Sequence, residues 1–276
     1  MVEITVLMDN QIIGRKGLIA EHGFSAYVEY RGRGLLFDCG PGPNFLENAR
    51  RLGIDLSHVE TVVLSHSHYD HAGGFRDLAE AGLGIREVCT GPDFFEPKYA
   101  REGMRMSNLA CGFDSVFLQK HGFRHREVRG VEELFPGAWL ISGFHRVHDF
   151  ETVPERFVRR TAEGFRPDDF RDEVCLALET DRGLAVVVGC AHPGIVNMVS
   201  HIRKMLRKPV WAVFGGTHLS KASPERIEKT LCGLKTQGVT LLGLGHCSGE
   251  AVETAVGEDP ALTACHLGSG DGVFLE

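Results

Sequence analysis

The fold of this chain is decided by the stretch Thr61-Val62-Val63-Leu64-Ser65-His66-Ser67-His68-Tyr69-Asp70-His71-Ala72-Gly73-Gly74. Its first four residues favour a short buried strand, because β-branched and aliphatic side chains pack well in a pleated sheet. Four candidate metal ligands follow within six positions, and they are His66, His68, Asp70 and His71. The two glycines then allow a sharp turn into a helix. The stretch therefore predicts a strand that ends in a metal-binding loop.

The spacing of these ligands favours two cation positions. His66 and His68 lie two residues apart, so in an extended segment their rings point to the same side and can bind one ion. Asp70 and His71 follow where the chain turns, and they can face a second ion. Imidazole and carboxylate together suit a divalent transition metal. The alternative is a polar surface loop, and the complete His-x-His-x-Asp-His pattern before Gly-Gly argues against it.

The same segment resembles the signature of the metallo-β-lactamase superfamily. Tyr69 between the ligands, Glu21–Ser25, Gly189–His192 and Gly245–Gly249 are similar to the branch named for 7,8-dihydropterin-6-methyl-4-(β-D-ribofuranosyl)aminobenzene-5'-phosphate synthase. The resemblance runs over nearly the whole chain. It implies a four-layer αββα sandwich, whereas the order of strands and helices alone indicates only an α/β or α+β class.

Length and composition suit one globular domain. The chain has 276 residues, of which 43% are hydrophobic, and it contains no convincing linker or repeat. We therefore expect a single domain over residues 1–276 with inserted loops at about 91–130 and 145–171. No run approaches the roughly 18 apolar residues of a membrane span. The first residues read as a strand and not as an export signal, so we expect a cytoplasmic protein.

The distribution of charge bears on the partners. The formal net charge is −7, which argues against nucleic acid and anionic membranes as partners. Between residues 98 and 129, however, seven lysines and arginines stand against three acidic residues. This basic segment is either a solvated surface loop or a lid that attracts an anionic substrate to the metal site. The eight cysteines form no Cys-x-x-Cys pair, so we expect them to be reduced and mostly buried.

The second half of the chain is expected to supply the remaining ligands. Three apolar strands there end in glycine and histidine, in the segments 186–192, 213–218 and 242–247. We predict that His246 completes the second metal position with the Asp–His pair of the motif. We predict that His192 is the third imidazole of the first position, its alternative being a histidine at the start of a helix.

Three further residues are candidates for roles beside the metals. Cys190 stands where the superfamily commonly has a bridging aspartate, and it is either a soft ligand that favours zinc or a buried thiol. Asp38 resembles the superfamily's buried aspartate, which accepts a hydrogen bond from a ligand histidine and fixes its tautomer. We place His218 near the substrate, with ligation or a purely structural role as alternatives, and count it with Asp70 as a catalytic candidate.

Asn10, His22 and Ser25 are expected to line the cleft and contact the substrate, with a turn or capping role as the alternative for each. Ser67 and Ala72 replace residues that are usual in the branch, namely glycine and threonine. Phe144-His145-Arg146 also departs from the branch's pattern, in a loop expected to contact substrate. These differences leave open a hydrolase with an unrelated substrate.

The resemblance implies a metal-dependent enzyme with two divalent ions, and we expect zinc, with manganese or iron as alternatives. Two such ions about 3.5–4 Å apart could lower the pKa of a water between them, polarise a phosphoryl or carbonyl oxygen, or hold a pyrophosphate leaving group. We predict a metal-dependent enzyme whose substrate is small and phosphorylated or otherwise anionic. The resemblance implies a pterin substrate and a synthase of the transferase type. The alternative is a hydrolase of the phosphodiesterase or nuclease type.

Three other functional classes fit the sequence less well. A nuclease fits poorly with the acidic total charge and the lack of a recognisable nucleic-acid-binding module. An iron-binding redox protein would need a flavin domain and more carboxylate ligands. A sensor without catalysis would lack several of the expected ligands.

Overall fold

The computed structural model describes residues 1–14 and 17–276, and its framework is a pair of seven-stranded sheets. In the first sheet the strand order is β18-β1-β2-β3-β4-β5-β8. Its strands are β1 (Val2–Met8), β2 (Ser25–Tyr30), β3 (Arg33–Phe37), β4 (Thr61–Val63), β5 (Glu87–Thr90), β8 (Arg124–Glu127) and β18 (Gly272–Leu275). From β3 to β8 neighbouring strands run parallel, and the remaining pairs are antiparallel.

The second sheet has the order β17-β16-β15-β14-β13-β10-β9. Its strands are β9 (Val131–Phe135), β10 (Ala138–Ile141), β13 (Cys175–Thr180), β14 (Gly183–Val188), β15 (Val210–Gly215), β16 (Leu241–Leu244) and β17 (Thr263–His266). The four strands from β14 to β17 run parallel. Because the carboxyl ends of parallel strands meet at one edge, both sheets present several strand ends together.

Helices cover the outer faces of the two sheets. They are α1 (Asn44–Leu52), α2 (Tyr69–Ala72), α3 (Phe75–Glu80), α4 (Ser115–Lys120), α5 (Ile195–Leu206), α6 (Pro224–Thr236) and α7 (Glu250–Gly257), with a 3₁₀ turn at Leu56–His58. The α6 helix begins as its sequence predicts, since Ser223 caps it by accepting from the N–H of Arg226 and Pro224 occupies the first turn. None of the helices in the described ranges has the length and apolar character needed to span a bilayer.

Three apolar cores separate the four layers. The central core joins the facing sheets, with Val28 and Phe37 from the first and Leu176 and Phe214 from the second. One outer core packs α1, α3 and α4 against the first sheet, and the other packs α5, α6 and α7 against the second. The αββα sandwich that the resemblance implied is confirmed.

The two inserted segments form a third sheet and are not loops alone. Its order is β12-β11-β6-β7, with β6 (Lys98–Glu102), β7 (Arg105–Asn108), β11 (Phe157–Thr161) and β12 (Gly164–Pro167). The hairpin β6–β7 comes from the first insert and β11–β12 from the second, and Ala100 pairs with Phe157 between them. This pairing joins segments more than fifty residues apart, which is why local sequence patterns did not predict it.

Candidate metal centre

The strand ends at one edge of the sandwich bring all six predicted ligands together. His66 to His71 follow β4, while His192 and His246 follow β14 and β16 of the facing sheet. The sheets approach closely at this point, because a Cβ at Gly189 would lie 2.1 Å from the Ser65 hydroxyl oxygen. Glycine is therefore needed directly before Cys190.

The first group of candidate ligands consists of His66, His68 and His192. One ring nitrogen from each lies within 4.8 Å of the other two, and all three residues are buried. The Nε2 atoms of His66 and His68 and both ring nitrogens of His192 have no hydrogen-bond partner in the described part of the chain. Burying unpaired polar atoms is costly, so these nitrogens fit a site for a cation.

The second group consists of Asp70, His71 and His246. The Nε2 atoms of the two histidines are 3.1 Å apart, and Asp70 Oδ2 lies 3.9 Å from His71 Nε2 and 3.6 Å from His246 Nε2. Two nitrogens bound to one tetrahedral zinc lie about 3.3 Å apart, given bonds of 2.0–2.1 Å. The donor atoms of this group are therefore already spaced for a single ion.

Hydrogen bonds from neighbouring side chains orient the second group. Asp38 Oδ2 lies 2.7 Å from His71 Nδ1, and Asn10 Oδ1 lies 3.1 Å from His246 Nδ1. Each contact leaves the Nε2 atom of its histidine directed at the site. Asp9, which was not predicted, accepts the backbone N–H of His246 at 2.6 Å. This bond holds His246 in a left-handed conformation with φ of 51°.

Burial controls the protonation of the first group. It lowers the pKa of His66, His68 and His192 well below the ordinary value, and neighbouring cationic groups lower it further. Burial also lowers the pKa of His246 to about 4. These imidazoles are therefore neutral at physiological pH, the form that binds a metal.

His71 titrates differently from the other candidate ligands. Burial opposes its charge, but the carboxylates of Asp38 and Asp70 raise its pKa to about 9 in the metal-free chain. Burial likewise opposes ionisation of Asp70, yet His22 and the neighbouring imidazoles hold the pKa of that carboxyl below its usual value. An ion bound here would take the place of the proton on His71.

Cys190 and His218 lie at the same strand edge. Cys190 Sγ is 3.2 Å from His71 Nε2 and 3.3 Å from the sulfur of Cys247. The His218 ring centroid lies 4.3 Å from that of His192, and its backbone N–H donates to Cys247 Sγ. Cys247 was not predicted as a site residue, although it directly follows the candidate ligand His246 in the sequence.

The three residues expected to line the cleft have different places. His22 lies at the mouth of the site, with Nε2 at 3.2 Å from Asp70 Oδ2 and a side chain that is 62% exposed. Asn10 lines the cavity, and its amide is bonded to His246. Ser25 is fully buried and donates to the carbonyl of Asp38. Ser25 therefore lies behind the candidate ligands and not at the cavity surface, because its short side chain occupies an inward-facing position of the strand.

A buried ion-pair cluster, also missed, supports the first group from the side of the third sheet. Lys98 Nζ lies 2.5 Å from Asp172 Oδ1 and 3.1 Å from Asp168 Oδ2, and 4.7 Å from the centroid of the Phe170 ring. Phe170 stacks on His192 with ring centroids 3.7 Å apart. Asp172 also accepts the backbone N–H of Ser67. These four residues, the Lys98 cluster (Lys98, Asp168, Phe170 and Asp172), connect both inserts to the ligand loop.

A cavity of about 1170 Å³ opens over the ligands. Apolar side chains, including Phe150, Phe157 and Leu219, form part of its surface. Its charged residues are the basic Arg105, Arg156, Lys221, Arg226 and Lys229 and the acidic Asp70, Glu102 and Glu225. Basic groups thus outnumber acidic ones here, in a chain whose formal net charge is −7.

The basic segment of the first insert contributes only part of this charge. Arg105 lines the cavity, but Arg124 and Arg126 pair with Glu87 away from it, and Lys98 is buried in its own cluster. The hairpin β6–β7 borders the cavity through Ala100, Glu102, Arg105, Ser107 and Leu109. Part of the hairpin therefore borders the cavity, whereas Lys98, Arg124 and Arg126 pair with acidic residues elsewhere.

Comparison with known proteins shows the family of the chain. A family model described as the metallo-beta-lactamase superfamily matches residues 19–108. The 7,8-dihydropterin-6-methyl-4-(beta-D-ribofuranosyl)-aminobenzene-5'-phosphate synthase of Methanocaldococcus jannaschii is 32% identical over 87% of this chain and 85% of its own length. The crystal structure of Tm1679, described as a metal-dependent hydrolase of the beta-lactamase superfamily, superposes with a TM-score of 0.85 at 30% identity. That match covers 100% of this chain and 99% of Tm1679. The chain therefore belongs to the metallo-β-lactamase superfamily, in the branch that resembles the synthase.

Proposed function

We propose that this protein is a metal-dependent enzyme that acts on a small, phosphorylated substrate carrying a flat ring such as a pterin. The proposal rests on the position of the two donor groups, which lie at the base of a cavity that is both basic and aromatic. The donor groups suit cations, the basic side chains suit phosphate, and the aromatic surface suits a ring.

Each donor group would hold one divalent ion, and zinc is the expected metal because imidazole is the main donor. His66, His68 and His192 would hold the first ion, and Asp70, His71 and His246 the second. When bound, such a pair of ions supplies charge that stabilises a phosphoryl oxygen or a pyrophosphate leaving group and makes a water more acidic.

The residues of the chain would position the substrate and handle protons around the ions. His22, which shares a hydrogen bond with Asp70 at the mouth of the site, has a raised pKa and can donate a proton to a leaving oxygen. His218 faces the cavity beside His192 and can contact the substrate from the other side. Arg105 and Lys221 supply positive charge for its phosphate groups.

Two reaction classes fit this arrangement. The synthase of M. jannaschii supports condensation of a pterin with an aminobenzene compound, since its name describes a phosphorylated product with both parts. The description of Tm1679 as a metal-dependent hydrolase supports hydrolysis instead. The basic side chains of the cavity favour a phosphate ester as the substrate of such a hydrolysis. Assays of the metal-loaded protein with a pterin-methyl pyrophosphate plus an aminobenzene ribosyl phosphate, and separately with phosphodiesters, distinguish the two.

The metal dependence is tested with Asp70→Ala. We expect this variant to bind one equivalent of zinc fewer than the parent and to lose turnover, while its circular dichroism spectrum stays unchanged. Elemental analysis after gel filtration measures the metal. Full metal content together with full activity in the variant would refute the assignment of Asp70.

A further inference from the structure

Two cysteine sulfurs meet at the ligand-bearing edge of the second sheet. The Sγ atoms of Cys190 and Cys247 lie 3.3 Å apart, although 57 positions separate the residues along the chain. Cys190 follows β14 and Cys247 follows β16, the two strands that flank β15. Both thiols are free and buried, and both residues line the cavity. Strand topology thus places two soft donors side by side.

His218 provides a third donor from the end of β15. One of its ring nitrogens and the two sulfurs all lie within 4.8 Å of one another. Its Nδ1 atom has no hydrogen-bond partner in the parts of the chain that the structure describes. Its φ is 53°, in the left-handed region, which histidine adopts more often than most residues do. Its backbone N–H donates to Cys247 Sγ at 3.2 Å, which keeps the residue beside the sulfurs.

We propose that Cys190, His218 and Cys247 form an additional metal-binding position that takes a thiophilic divalent ion. Two thiolates and one neutral imidazole balance the charge of such an ion, and thiolates select soft metals such as zinc or cadmium. Two sulfurs on one tetrahedral zinc lie about 3.8 Å apart, given bonds of 2.3 Å. The observed spacing therefore needs only a small separation of the sulfurs.

This position differs from the two groups of the proposed function in its donors. Those groups consist of nitrogen and oxygen atoms, whereas the additional one is rich in sulfur. Cys190 Sγ also lies 3.2 Å from His71 Nε2, so an ion here would lie next to the second group of candidate ligands. His218 serves both proposals, as a substrate contact in the proposed function and as a donor here. The metal positions themselves rest on different residues, so either can fail without the other.

The test is a titration of the metal-free full-length protein with Cd²⁺ under reducing conditions. Sulfur-to-cadmium charge transfer absorbs in the near ultraviolet, and its intensity reports the number of bound thiolates. We expect the intensity of two thiolates in the parent, about half of it in Cys190→Ser and in Cys247→Ser, and none in the double variant. His218→Ala is expected to weaken binding by at least about tenfold, since even residues outside a metal's ligand shell commonly contribute that much.

Two control variants make the result specific. Cys232→Ser removes an exposed cysteine and is expected to leave the absorption unchanged. Asp70→Asn is expected to keep the sulfur absorption while it lowers the total metal content by one equivalent, which separates this proposal from the proposed function. Full absorption in Cys247→Ser would overturn the sulfur-rich position.

Cadmium-113 resonances of the parent protein give a measurement that needs no variant. A resonance in the range of two-sulfur coordination is expected. Resonances confined to the range of nitrogen and oxygen coordination would overturn the proposal, and so would a Cys190–Cys247 disulfide that persists in reductant.

Discussion

Asp38 Oδ2 lies 2.7 Å from Nδ1 of His71, and both side chains are fully buried. The same carboxylate accepts the backbone N–H of Ser65 at 2.6 Å and lies 2.7 Å from its hydroxyl oxygen. One aspartate thus connects the strand end before the motif to a ligand within the motif. It sets both the direction and the tautomer of His71.

Asp38→Asn is therefore expected to weaken metal binding about 10- to 100-fold, as removal of such a partner usually does. The amide carries no charge, and its NH₂ group cannot accept from Ser65. Competition with a chromogenic chelator measures the affinity. Asp55→Asn, at an exposed cap of the 3₁₀ turn, is the matched control and should bind metal like the parent. Equal affinities for both variants would contradict the role of Asp38.

Lys98→Met is expected to destabilise the fold by about 3 to 5 kcal/mol, because it leaves Asp168 and Asp172 buried without their counter-ion. Denaturant unfolding of the metal-free protein measures the change. Lys229→Met breaks an exposed pair with Glu225 and should leave the unfolding midpoint nearly unchanged. If Lys98→Met lowers the free energy of unfolding by less than about 1 kcal/mol, the Lys98 cluster behaves like a surface ion pair.

The free energy of unfolding is expected to depend on pH through Glu173. Burial raises the pKa of this carboxyl to about 8, from 4.5 in the unfolded chain. Between these values the folded state keeps a proton that the unfolded state has released, so stability falls as pH rises from about 4.5 to 8. Across this pH range Glu173 lowers the free energy of unfolding by on the order of 3 to 5 kcal/mol.

Glu173→Gln keeps an acceptor for the N–H of Ala191 and removes the titration. We expect the unfolding free energy of the variant to exceed that of the parent increasingly as pH rises from 5 to 8. Urea unfolding of both metal-free proteins at several pH values provides the comparison. Parallel pH profiles would rule out an elevated pKa at Glu173.

A substitution at Arg105 tests whether the substrate is anionic. It lines the cavity and makes no ion pair with the residues that the structure describes. Arg105→Gln is expected to raise KM about tenfold, as loss of a charge-assisted hydrogen bond does, with little change in kcat. Arg101→Gln, on the same hairpin but outside this cavity, is the control. A KM that is insensitive to Arg105 and to salt would argue for a neutral substrate.

The sequence predicts best those features that depend on near neighbours. The strand, the ligand spacing and the turn between Thr61 and Gly74 are local, and so is the helical period of the apolar positions in Ile195–Leu206. Histidines after glycine at three strand ends also indicated which parts of the second half would meet the motif. The resemblance supplied the order of the layers.

Features that depend on distant partners were not predicted. Lys98 and Asp172 are 74 positions apart, and nothing in either segment marks a buried ion pair. Strand β18 contains only four residues and pairs with the first strand of the chain. Helix α7 was missed because its short run of alanine, valine and glutamate has a weak apolar face. The contact of Cys190 with Cys247 follows from the strand order, which the residues alone do not specify.

The candidate ligands come from two different sheets, and this sets an order of events during folding. The segment 61–74 holds four of the six candidate ligands, two for each metal position, and His192 and His246 join them only when the second sheet docks on the first. A nascent chain that has released only the strands β1 to β5 can therefore bind an ion weakly at best, because each position then has two donors and lacks its third. Tight metal binding is thus a late event in folding, because it requires both sheets to be docked. A chelator present during refolding should leave the sandwich folded and metal-free.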